Sequence, residues 1–520
     1  MKINKIMVMC LAAAPLVALT SCNDFLDTMP DNRTELNTPE KITKILVNAY
    51  PNANWNMLAE FSSDNADDNG TRYSIYDRLT DEVYHWEDTK ESGNDSPSAF
   101  WSACYKAVGV SNHALAAINN LGNTEELSAQ RGEALMCRAF GHFMLSYIFC
   151  QPWTVSNQNT ALGIPYTTEP ETTVSPQYER GTIGETYARI EADIEEALPL
   201  IDDNNYTVPK YHFNRKAAYA FAARFYLYYG KYDKAIECAN VVLGDNAALS
   251  MRDWSAIGSL SLNDDLQPDA YVDDSNKANL LLIVSRSLWG LYNGPLTVTN
   301  RYTHNPTISE KETCGSTGIW GECSSTLRQQ PADYTSIPKV VFRKYPLFYM
   351  EYTDIINGNG YYNVVSAMFT TDETLLVRAE AYAMKKQYDK AIADMQTWVD
   401  TYTTSKVQLT VDNINEFYGD MAYYTPTAPT PKKRLHPDFT VEPGTQENLI
   451  HFILHARRIL TLHDGLRWGD IKRYGITIYR RTVEDRNISV TDSMLPNDPR
   501  RALQLPYDVL TAGLQANPRN

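Results

Sequence analysis

Helix-like and loop-like segments alternate along the chain, as judged from the spacing of its apolar residues. In several stretches apolar side chains recur at three- and four-residue intervals, which predicts amphipathic helices with one buried face. We expect these helices at residues 42–48, 100–119, 125–149, 183–198 and 448–474. At the start of the fourth, Thr182 and Glu185 have the spacing of a capping box. The pattern therefore predicts a mainly α-helical protein.

Two segments far apart in the chain share a five-residue sequence. Residues 232–236 and 388–392 both read Tyr-Asp-Lys-Ala-Ile, and each is preceded by small and aromatic residues at matching positions. The turn before the string needs a positive backbone φ, which Gly230 adopts easily and which Lys386 must adopt without that freedom. This arrangement is typical of the helical hairpin of a tetratricopeptide repeat. We expect the helices within 100–198 to add further, degenerate hairpins.

The pattern changes between the two copies of the repeat. Residues 251–365 lose helical periodicity and carry tryptophan and tyrosine among Gly, Pro, Asn, Ser and Thr. A long segment of this kind inside a compact domain is usually functional. Residues 61–97 and 402–446 also read as loops. We therefore predict a helical scaffold at about 40–250 and 366–475, and a loop-rich binding region at about 251–365.

The N-terminus predicts export and a lipid anchor. Two lysines precede an apolar run at residues 6–19, which is shorter than the roughly 20 residues that cross a bilayer and has the length of a signal-peptide core. The run leads into Thr20, Ser21 and Cys22, and small residues before a cysteine resemble a bacterial lipobox. We predict a signal peptide at 1–21 and a lipid on Cys22. A secretory signal that merely contains a cysteine is the alternative.

The net charge and the positions of the cysteines limit which partners and which covalent links are expected. The formal net charge of −16 makes nucleic acid a poor partner, because phosphate binding needs a basic surface. Cys314 and Cys323 flank a short Gly-rich loop, and an exported protein permits a disulfide between them, but spacing alone leaves that pairing open. We expect the remaining cysteines of the mature body to be buried, inert thiols, namely Cys104, Cys137, Cys150 and Cys238.

Familiar catalytic motifs are missing from the sequence. It contains no nucleophile elbow, phosphate-binding loop, dinucleotide fingerprint or His-Glu-x-x-His string. His451 and His455 have the spacing to share a metal, but no third ligand is placed by that spacing, so we favour packing histidines. Asp64, Asp67 and Asp68 carry calcium-type ligands in an order unlike an EF-hand, so we favour a solvated loop. We predict a protein that is not an enzyme and uses no cofactor and no metal.

A basic cluster lies near the end of the last predicted helix, interspersed with acidic residues. In an acidic protein such a cluster indicates internal salt bridges more than a phosphate site. It consists of Arg457, Arg458, Arg467, Lys472 and Arg473, with Asp464 and Asp470.

Short strings spread over nearly the whole mature chain share a specific order and spacing. They lie at residues 21–30, 131–139, 163–166, 217–243, 376–381, 464–473, 505–506 and 517–518. Together they resemble the SusD-like (RagB/SusD) family of Bacteroidetes outer-membrane lipoproteins. One of them is Asp-Gly-Leu-Arg-Trp-Gly-Asp at 464–470, and it is the order and spacing of all the strings together that is specific.

The resemblance implies a fold and a function. The fold is mainly α, a SusD-like fold with tetratricopeptide-like hairpins and a loop-rich ligand-binding face. The function is that of a surface-exposed lipoprotein of the cell outer membrane, which captures oligosaccharides and delivers them to a SusC-like TonB-dependent transporter. Some relatives capture peptides, so a RagB-like peptide-binding protein is the alternative. An enzyme with carboxylate pairs hidden in its loops and a purely structural partner of the transporter are two further hypotheses.

Aromatic residues in the predicted loops are the candidate ligand-binding residues. Sugar rings pack their C–H faces on aromatic rings, while Asn, Asp and Arg bond the hydroxyls, and any one ring could instead fill core beneath a loop. The candidates are Tyr73, Trp86, Trp289, Tyr292, Tyr302 and Trp320, with Asn69, Arg72 and Asn293 as weaker polar candidates. We assign the other tryptophans in helical or turn contexts to packing, namely Trp55, Trp101, Trp153, Trp398 and Trp468.

Overall fold

The computed structural model describes residues 36–173, 177–262, 264–294, 300–334, 337–485 and 487–519. Cys22 and the signal peptide predicted at 1–21 lie outside the described residues. Helices dominate the described part of the chain. Among them, none combines the length and the apolar character that a membrane crossing requires.

The helices include a set of long ones in the scaffold and a set of short ones in the connecting regions. In the first half of the chain they are α1 (Pro39–Leu46), α2 (Asn56–Ser62), α3 (Arg78–Tyr84), α4 (Pro97–Asn120), α5 (Ser128–Phe149), α6 (Ile183–Ala197), α7 (Arg215–Tyr228), α8 (Tyr232–Leu243) and α9 (Trp254–Gly258). In the second half they are α10 (Leu266–Val272), α11 (Trp289–Asn293), α12 (Pro306–Glu312), α13 (Cys323–Thr326), α14 (Thr371–Met384), α15 (Tyr388–Tyr402), α16 (Val411–Asp420), α17 (Thr445–Leu460), α18 (Arg467–Arg473) and α19 (Tyr507–Thr511).

The strands form small sheets beside the helical scaffold. They are β1 (Asp67–Asp68), β2 (Asn279–Arg286), β3 (Tyr302–Thr303), β4 (Thr317–Gly318), β5 (Gly321–Glu322), β6 (Ala332–Tyr334), β7 (Lys339–Val341), β8 (Tyr349–Asp354), β9 (Asn359–Thr370), β10 (Ile478–Glu484) and β11 (Asn487–Met494). One sheet has the order β11-β10-β1-β3 and another the order β2-β9-β8. β4 pairs with β5 and β6 pairs with β7, both antiparallel.

Both predicted repeat hairpins are present and pack together. α7 and α8 form the first hairpin, α14 and α15 form the second, and α14 packs against both α7 and α8. The turns contain Gly230 at φ 71° and Lys386 at φ 59°, so the lysine does adopt the left-handed backbone that its position requires. α4, α5 and α6 pack in sequence beside them, which confirms the expected degenerate units. The scaffold is therefore a stack of helical hairpins.

The capping box that begins α6 is confirmed in both directions. The backbone N–H of Glu185 donates to Thr182 Oγ1 at 3.1 Å, and the backbone N–H of Thr182 donates to Glu185 Oε2 at 2.8 Å. Elsewhere the predicted bounds differ by a few residues. The helix predicted at 448–474 is divided into α17 and α18, because His463 and Gly465 both adopt φ 75° between them.

The segment 251–365 contains more regular structure than its sequence predicts. It includes α9 to α13 and β2 to β8, together with the first residues of β9. β2 is buried on both faces over most of its length, so it lacks the polar–apolar alternation that identifies a strand. Its partner β9 pairs it from Asn279↔Thr370 to Arg286↔Asn363, positions far apart in the chain. Local sequence pattern therefore had no means to reveal this pair.

The acidic segment 64–68 is buried, so the prediction of a solvated loop is wrong. Arg467 Nε lies 2.8 Å from Asp64 Oδ1, and Arg481 Nη2 lies 2.7 Å from Asp67 Oδ2. Burial alone would make these carboxylates unfavourable, and the arginines compensate their charge. The carboxylate oxygens considered above as calcium ligands therefore face guanidinium groups.

The basic cluster near the C-terminus forms internal salt bridges, as predicted. Arg473 Nη1 lies 2.7 Å from Glu380 Oε1, and Arg457 Nη1 lies 3.3 Å from Asp470 Oδ1. Lys472 departs from this pattern, since its ammonium donates to the backbone carbonyl of Tyr147 at 2.8 Å. These contacts tie α17 and α18 to the α14 hairpin and to α5.

Candidate ligand-binding site

The chain between β1 and α3 forms an exposed loop over the small β11-β10-β1-β3 sheet. β1 is held on one side by Tyr302 and Thr303 of β3 and on the other by Thr482 of β10. We call residues 70–77 the 70–77 loop. Arg72, Ile75 and Tyr76 are exposed there, and Tyr73 is partly exposed. The loop thus presents aromatic and basic side chains to solvent from a rigid base.

Tyr292 supports the 70–77 loop from beneath. Its hydroxyl donates a 2.6 Å hydrogen bond to Asp77 Oδ2, and the ring of Tyr76 meets its ring edge-on with centroids 5.8 Å apart. Burial and the neighbouring Asp77 carboxylate raise the pKa of Tyr292. Asp77 also accepts the backbone N–H of Thr80 at 2.7 Å and so caps α3. One carboxylate therefore fixes the loop, the helix and the supporting ring.

Tyr302 joins the same surface through α3. Its hydroxyl donates to Asp81, its ring stacks on Tyr84 at 4.1 Å, and His85 meets it edge-on at 5.7 Å. Asp81 and His85 are partly exposed. Tyr302 itself is buried, so it acts as a wall of the surface rather than as an open ring.

Arg72 is the charged group with the most freedom on the loop. Its guanidinium lies 5.2 Å from the centre of the Tyr73 ring, and its Nη1 lies 3.3 Å from Asp485 Oδ1. Both members of this ion pair are largely exposed, so water and salt screen it. A ligand hydroxyl can therefore replace Asp485 as the partner of Arg72 at little cost.

Asn69 and Asn293, the other polar candidates, belong to the interior. Asn69 Nδ2 donates to Thr303 Oγ1 at 2.7 Å and to the Asn300 carbonyl at 2.9 Å, which ties β1 to the chain before β3. Asn293 is buried at the end of α11. Both side chains therefore lie beneath the surface, away from the open side of the loop.

Trp289 and Trp86 are buried, so the expectation of exposed rings is wrong for them. Trp289 Nε1 donates to the His463 carbonyl at 3.0 Å, and Trp86 Nε1 donates to the Ser62 carbonyl at 2.9 Å. The guanidinium of Arg480 lies 4.0 Å from the Trp86 ring centre. Their indole N–H groups are satisfied within the protein, as buried tryptophans require.

Trp320 lies in a different part of the core. It is 2% exposed, its ring packs on Trp398 at 5.0 Å and on Phe452 at 5.9 Å, and its N–H points to Cys323 Sγ at 3.4 Å. This ring fills the space between the α13 region and the α15 and α17 helices. The expectation that it is exposed is therefore also wrong.

Tyr76 is the residue that sequence reasoning missed at this surface. It is 50% exposed and lies three positions after Tyr73 in the same polar segment. Asp77 and Asp81, which bond the tyrosines, were missed as well. The sequence could have identified Tyr76, because it is an aromatic residue of the same predicted loop, 61–97, as Tyr73. The reasoning that made Tyr73 a candidate applies equally to it.

The histidine pair considered for a metal and the cysteine pair considered for a disulfide are buried in the protein interior. His455 has Ser316 Oγ 2.9 Å from its Nε2 and Tyr418 Oη 3.2 Å from its Nδ1, so the packing interpretation is confirmed for it. Burial lowers its pKa to about 3. Among the described residues no cluster of three His, Cys, Asp or Glu side chains is arranged to hold a metal ion. Cys314 and Cys323 are both free, buried thiols.

Solved structures of SusD superfamily proteins share this fold over nearly its whole length. A SusD superfamily protein from Bacteroides thetaiotaomicron superposes with a TM-score of 0.64 at 19% identity, covering 94% of this chain and 100% of that one. A putative sugar binding protein from Bacteroides vulgatus gives 0.65 at 19% identity, covering 93% and 99%. In sequence, residues 24–227 match the SusD-like family described as "Starch-binding associating with outer membrane". Residues 24–227 are thus similar to the SusD-like family, and the fold of the described chain is that of SusD superfamily structures.

A curated relative adds a shorter match in sequence. SusD-like protein P2 of Formosa agariphila is 27% identical over 171 residues, which is 32% of this chain and 30% of that protein. The match thus spans less than a third of the relative's length. The predicted fold class, mainly α with tetratricopeptide-like hairpins, is confirmed by the helical stack and by the SusD superfamily neighbours. The 70–77 loop lies inside the residues that match the SusD-like family.

Proposed function

We propose that this protein is a SusD-like, surface-exposed lipoprotein of the outer membrane that binds oligosaccharides and delivers them to a SusC-like TonB-dependent transporter. The observation that carries the proposal is the 70–77 loop, where Tyr76, half exposed, stands on Tyr292 beside Arg72 and Tyr73. The description of the SusD-like family, starch-binding and associated with the outer membrane, supports the sugar-binding and outer-membrane parts of this proposal.

The loop has the chemistry that a sugar chain needs. The rings of Tyr73 and Tyr76 offer flat apolar surface for the C–H faces of sugars. Arg72 offers guanidinium donors for hydroxyl groups, and Asp485 offers carboxylate acceptors. Such a mixture of apolar surface and few polar anchors is general for ligand sites. Binding requires no bond to be made or broken, so we assign the protein capture and no catalysis.

The support beneath the loop makes that capture efficient. Tyr292 and Asp77 hold Tyr76 in place before a ligand arrives, through the 2.6 Å hydrogen bond and the edge-on ring contact. A surface that is already ordered loses less conformational entropy on binding. We assign Tyr292 and Tyr302 to positioning, and Tyr73 and Tyr76 to direct ligand contact.

A glycan array tests the ligand. The full chain, purified in detergent, should bind oligosaccharides, and Tyr73→Ala/Tyr76→Ala should weaken that binding by about tenfold or more. Tyr507→Ala, at another tyrosine that is 50% exposed, is the matched control and should bind as wild type. Binding of a peptide panel with no glycan binding would favour the RagB-like alternative, and loss in both variants alike would contradict the loop site.

Fractionation and co-purification test the anchor and the partner. Cys22→Ala should move the protein from the outer-membrane fraction to a soluble one, if the lipid on Cys22 is its anchor. An affinity-tagged chain, extracted from outer membranes in mild detergent, should retain a TonB-dependent transporter. Membrane association that persists in Cys22→Ala, or a chain recovered without any transporter, would contradict the respective part of the proposal.

A further inference from the structure

A second open groove lies on the β2-β9-β8 sheet and shares no residue with the 70–77 loop. Its volume is about 610 Å³. One wall is the sheet, and the other is formed by α10 with the residues after it and by Tyr211. Pockets that hold small ligands commonly measure about 300–1,000 Å³. The groove is therefore large enough for several sugar units or for a short peptide.

Strand register shows which side chains face this groove. Tyr349 pairs with Asn363, and Asn363 pairs with Arg286 across β9, so these three lie on one face of the sheet. Val284 and Val365, paired two positions further along, form its apolar floor. The neighbours in sequence lie on the opposite face, because side chains alternate along a strand.

Two half-exposed tyrosines stand at the walls of the groove. Tyr349 is 41% exposed, and its hydroxyl donates to Asp269 Oδ1 of α10 at 2.9 Å, which joins the two walls. Tyr211 is exposed on the far wall, and burial together with Asp274 and Asp273 raises its pKa. The groove thus combines aromatic faces, an apolar floor and hydrogen-bonding groups at its rim.

The charge of the rim restricts the ligand. The described residues that line the groove include four carboxylates and neither lysine nor arginine, the carboxylates being Asp269, Asp273, Asp274 and Glu351. Arg286, on the same face of the sheet, lies over the Tyr361 ring, with 3.5 Å between its guanidinium and the ring centre. An acidic ligand would meet a lining with more like charge than opposite charge, whereas hydroxyl and amine groups would find acceptors.

We propose that this groove is a second saccharide-binding site, selective for oligosaccharides that are neutral or carry amines. Tyr211 and Tyr349 provide the stacking faces, and the four carboxylates with Asn363 accept or donate to hydroxyl groups. This inference goes beyond the function proposed above, because it concerns a different surface and a stated ligand charge. A long glycan can then contact the protein at two places, which raises its overall affinity through local concentration.

The test compares two variants on one array of neutral, amine-bearing and acidic oligosaccharides, with the full chain in detergent. Tyr211→Ala/Tyr349→Ala should lower binding to a subset of neutral or amine-bearing glycans by about tenfold. Tyr73→Ala/Tyr76→Ala should leave that subset bound. Tyr352→Ala is the matched control, since Tyr352 is exposed on the same strand but on the opposite sheet face. It should bind as wild type.

Each outcome bears on one site. If Tyr73→Ala/Tyr76→Ala abolishes all glycan binding, or if Tyr211→Ala/Tyr349→Ala changes none of it, the second site is excluded while the function proposed for the 70–77 loop stands. If the groove variant loses only acidic glycans, the assigned ligand chemistry is wrong. Tyr349→Phe, which keeps the ring, should retain most binding, and unfolding midpoints confirm that each variant is folded.

Discussion

Tyr292 and Asp77 form a 2.6 Å hydrogen bond that joins a short helix of the middle region to the first turn of α3. The other oxygen of the Asp77 carboxylate accepts the backbone N–H of Thr80 at 2.7 Å. A hydrogen bond to a charged group contributes about 1.5–3 kcal/mol when buried, more than a neutral one. The position of Tyr76, whose ring rests on Tyr292, therefore depends on a partly buried bond beneath the loop.

Removal of that bond should affect both stability and binding. Tyr292→Phe keeps the ring but loses the hydroxyl, so we expect the free energy of unfolding to fall by about 1–2 kcal/mol. Affinity for glycans at the 70–77 loop should fall as well, because Tyr76 loses its fixed support. Urea unfolding and the glycan array measure the two effects. Tyr507→Phe, at an exposed position, is the control, and an unchanged unfolding midpoint in Tyr292→Phe would contradict this account.

The turn of the second hairpin offers a stabilising substitution. Lys386 has φ 59°, a conformation that costs a residue with a Cβ about 1–2 kcal/mol, whereas the equivalent Gly230 has no such cost. Lys386→Gly removes this strain but adds about 0.5–1 kcal/mol of chain entropy in the unfolded state. We expect a net gain of about 0.5–1 kcal/mol in the free energy of unfolding.

Lys386→Ala separates strain from charge in the same turn. Lys386 Nζ pairs with Glu442, both about half exposed, so the ion pair contributes little. The alanine variant loses the ion pair and keeps the strained backbone, and should be no more stable than wild type. Thermal unfolding of both variants decides the matter: equal midpoints for the glycine and alanine variants would mean that backbone strain is not the cause.

The helical scaffold was predictable because its signals are local. The shared Tyr-Asp-Lys-Ala-Ile string and the Thr182–Glu185 capping box each lie within a few residues, and both are confirmed. The β2–β9 pair was not predictable in this way. Its strands meet from Asn279↔Thr370 onward, and β2 is buried on both faces, so neither proximity in sequence nor alternation reveals it.

The candidate site was predictable only in part, for a related reason. An aromatic residue in polar sequence can stand on the surface, as Tyr73 and Tyr76 do, or fill the space beneath a loop, as Trp289 and Trp320 do. The difference is set by residues distant in the chain, such as Trp398 and Phe452, which pack against Trp320. Composition alone carries no information about these contacts.

Buried neutral histidines should make the protein less stable in acid. Burial lowers the pKa of His142 and His455 to about 3 and of His304 to about 4. His142 Nε2 accepts the backbone N–H of Thr167 at 3.2 Å, so a proton on that nitrogen would break the bond. In the unfolded chain a histidine binds its proton near pH 6.5. The unfolded state therefore gains protons that the folded state excludes.

The sign and the range of this effect follow from these pKa values. The stability that the neutral histidines contribute is fully present above about pH 6.5. It is lost progressively toward pH 4, at up to about 1.4 kcal/mol per pH unit for each histidine. Glu60 and Asp95 oppose it, because burial raises their pKa values to about 7 and about 6. We expect the histidines to outweigh them, so urea unfolding at pH 5 should need less urea than at pH 7.

Two variants test the origin of the acid sensitivity. His142→Gln should shrink the difference in unfolding free energy between pH 7 and pH 5 by about 1–2 kcal/mol, since one titrating group is gone. Glu60→Gln should enlarge the difference, because it removes a group that favours the folded state as pH falls. Greater stability at pH 5 than at pH 7 in the wild type would show that the carboxylates dominate.

Gly465 is a position where a single added methyl group should cost considerable stability. Its φ is 75°, and a Cβ there would lie 2.7 Å from Trp55 Cδ1. Its backbone also accepts the hydroxyl of Tyr147 at 2.7 Å and donates to Glu60 Oε1 at 2.8 Å, so the chain has no room to shift. Backbone strain and overpacking together should make Gly465→Ala cost about 3–5 kcal/mol.

Gly122→Ala is the matched control for Gly465→Ala. Gly122 has φ 88°, and no atom lies within 4 Å of a Cβ built there, so only the strain applies. Its cost should be about 1–2 kcal/mol. Urea unfolding of the two variants separates the contributions, because the excess in Gly465→Ala measures the clash with Trp55. Equal losses would mean that the indole moves aside freely, and that the packing of α2 against the turn before α18 is looser than these distances indicate.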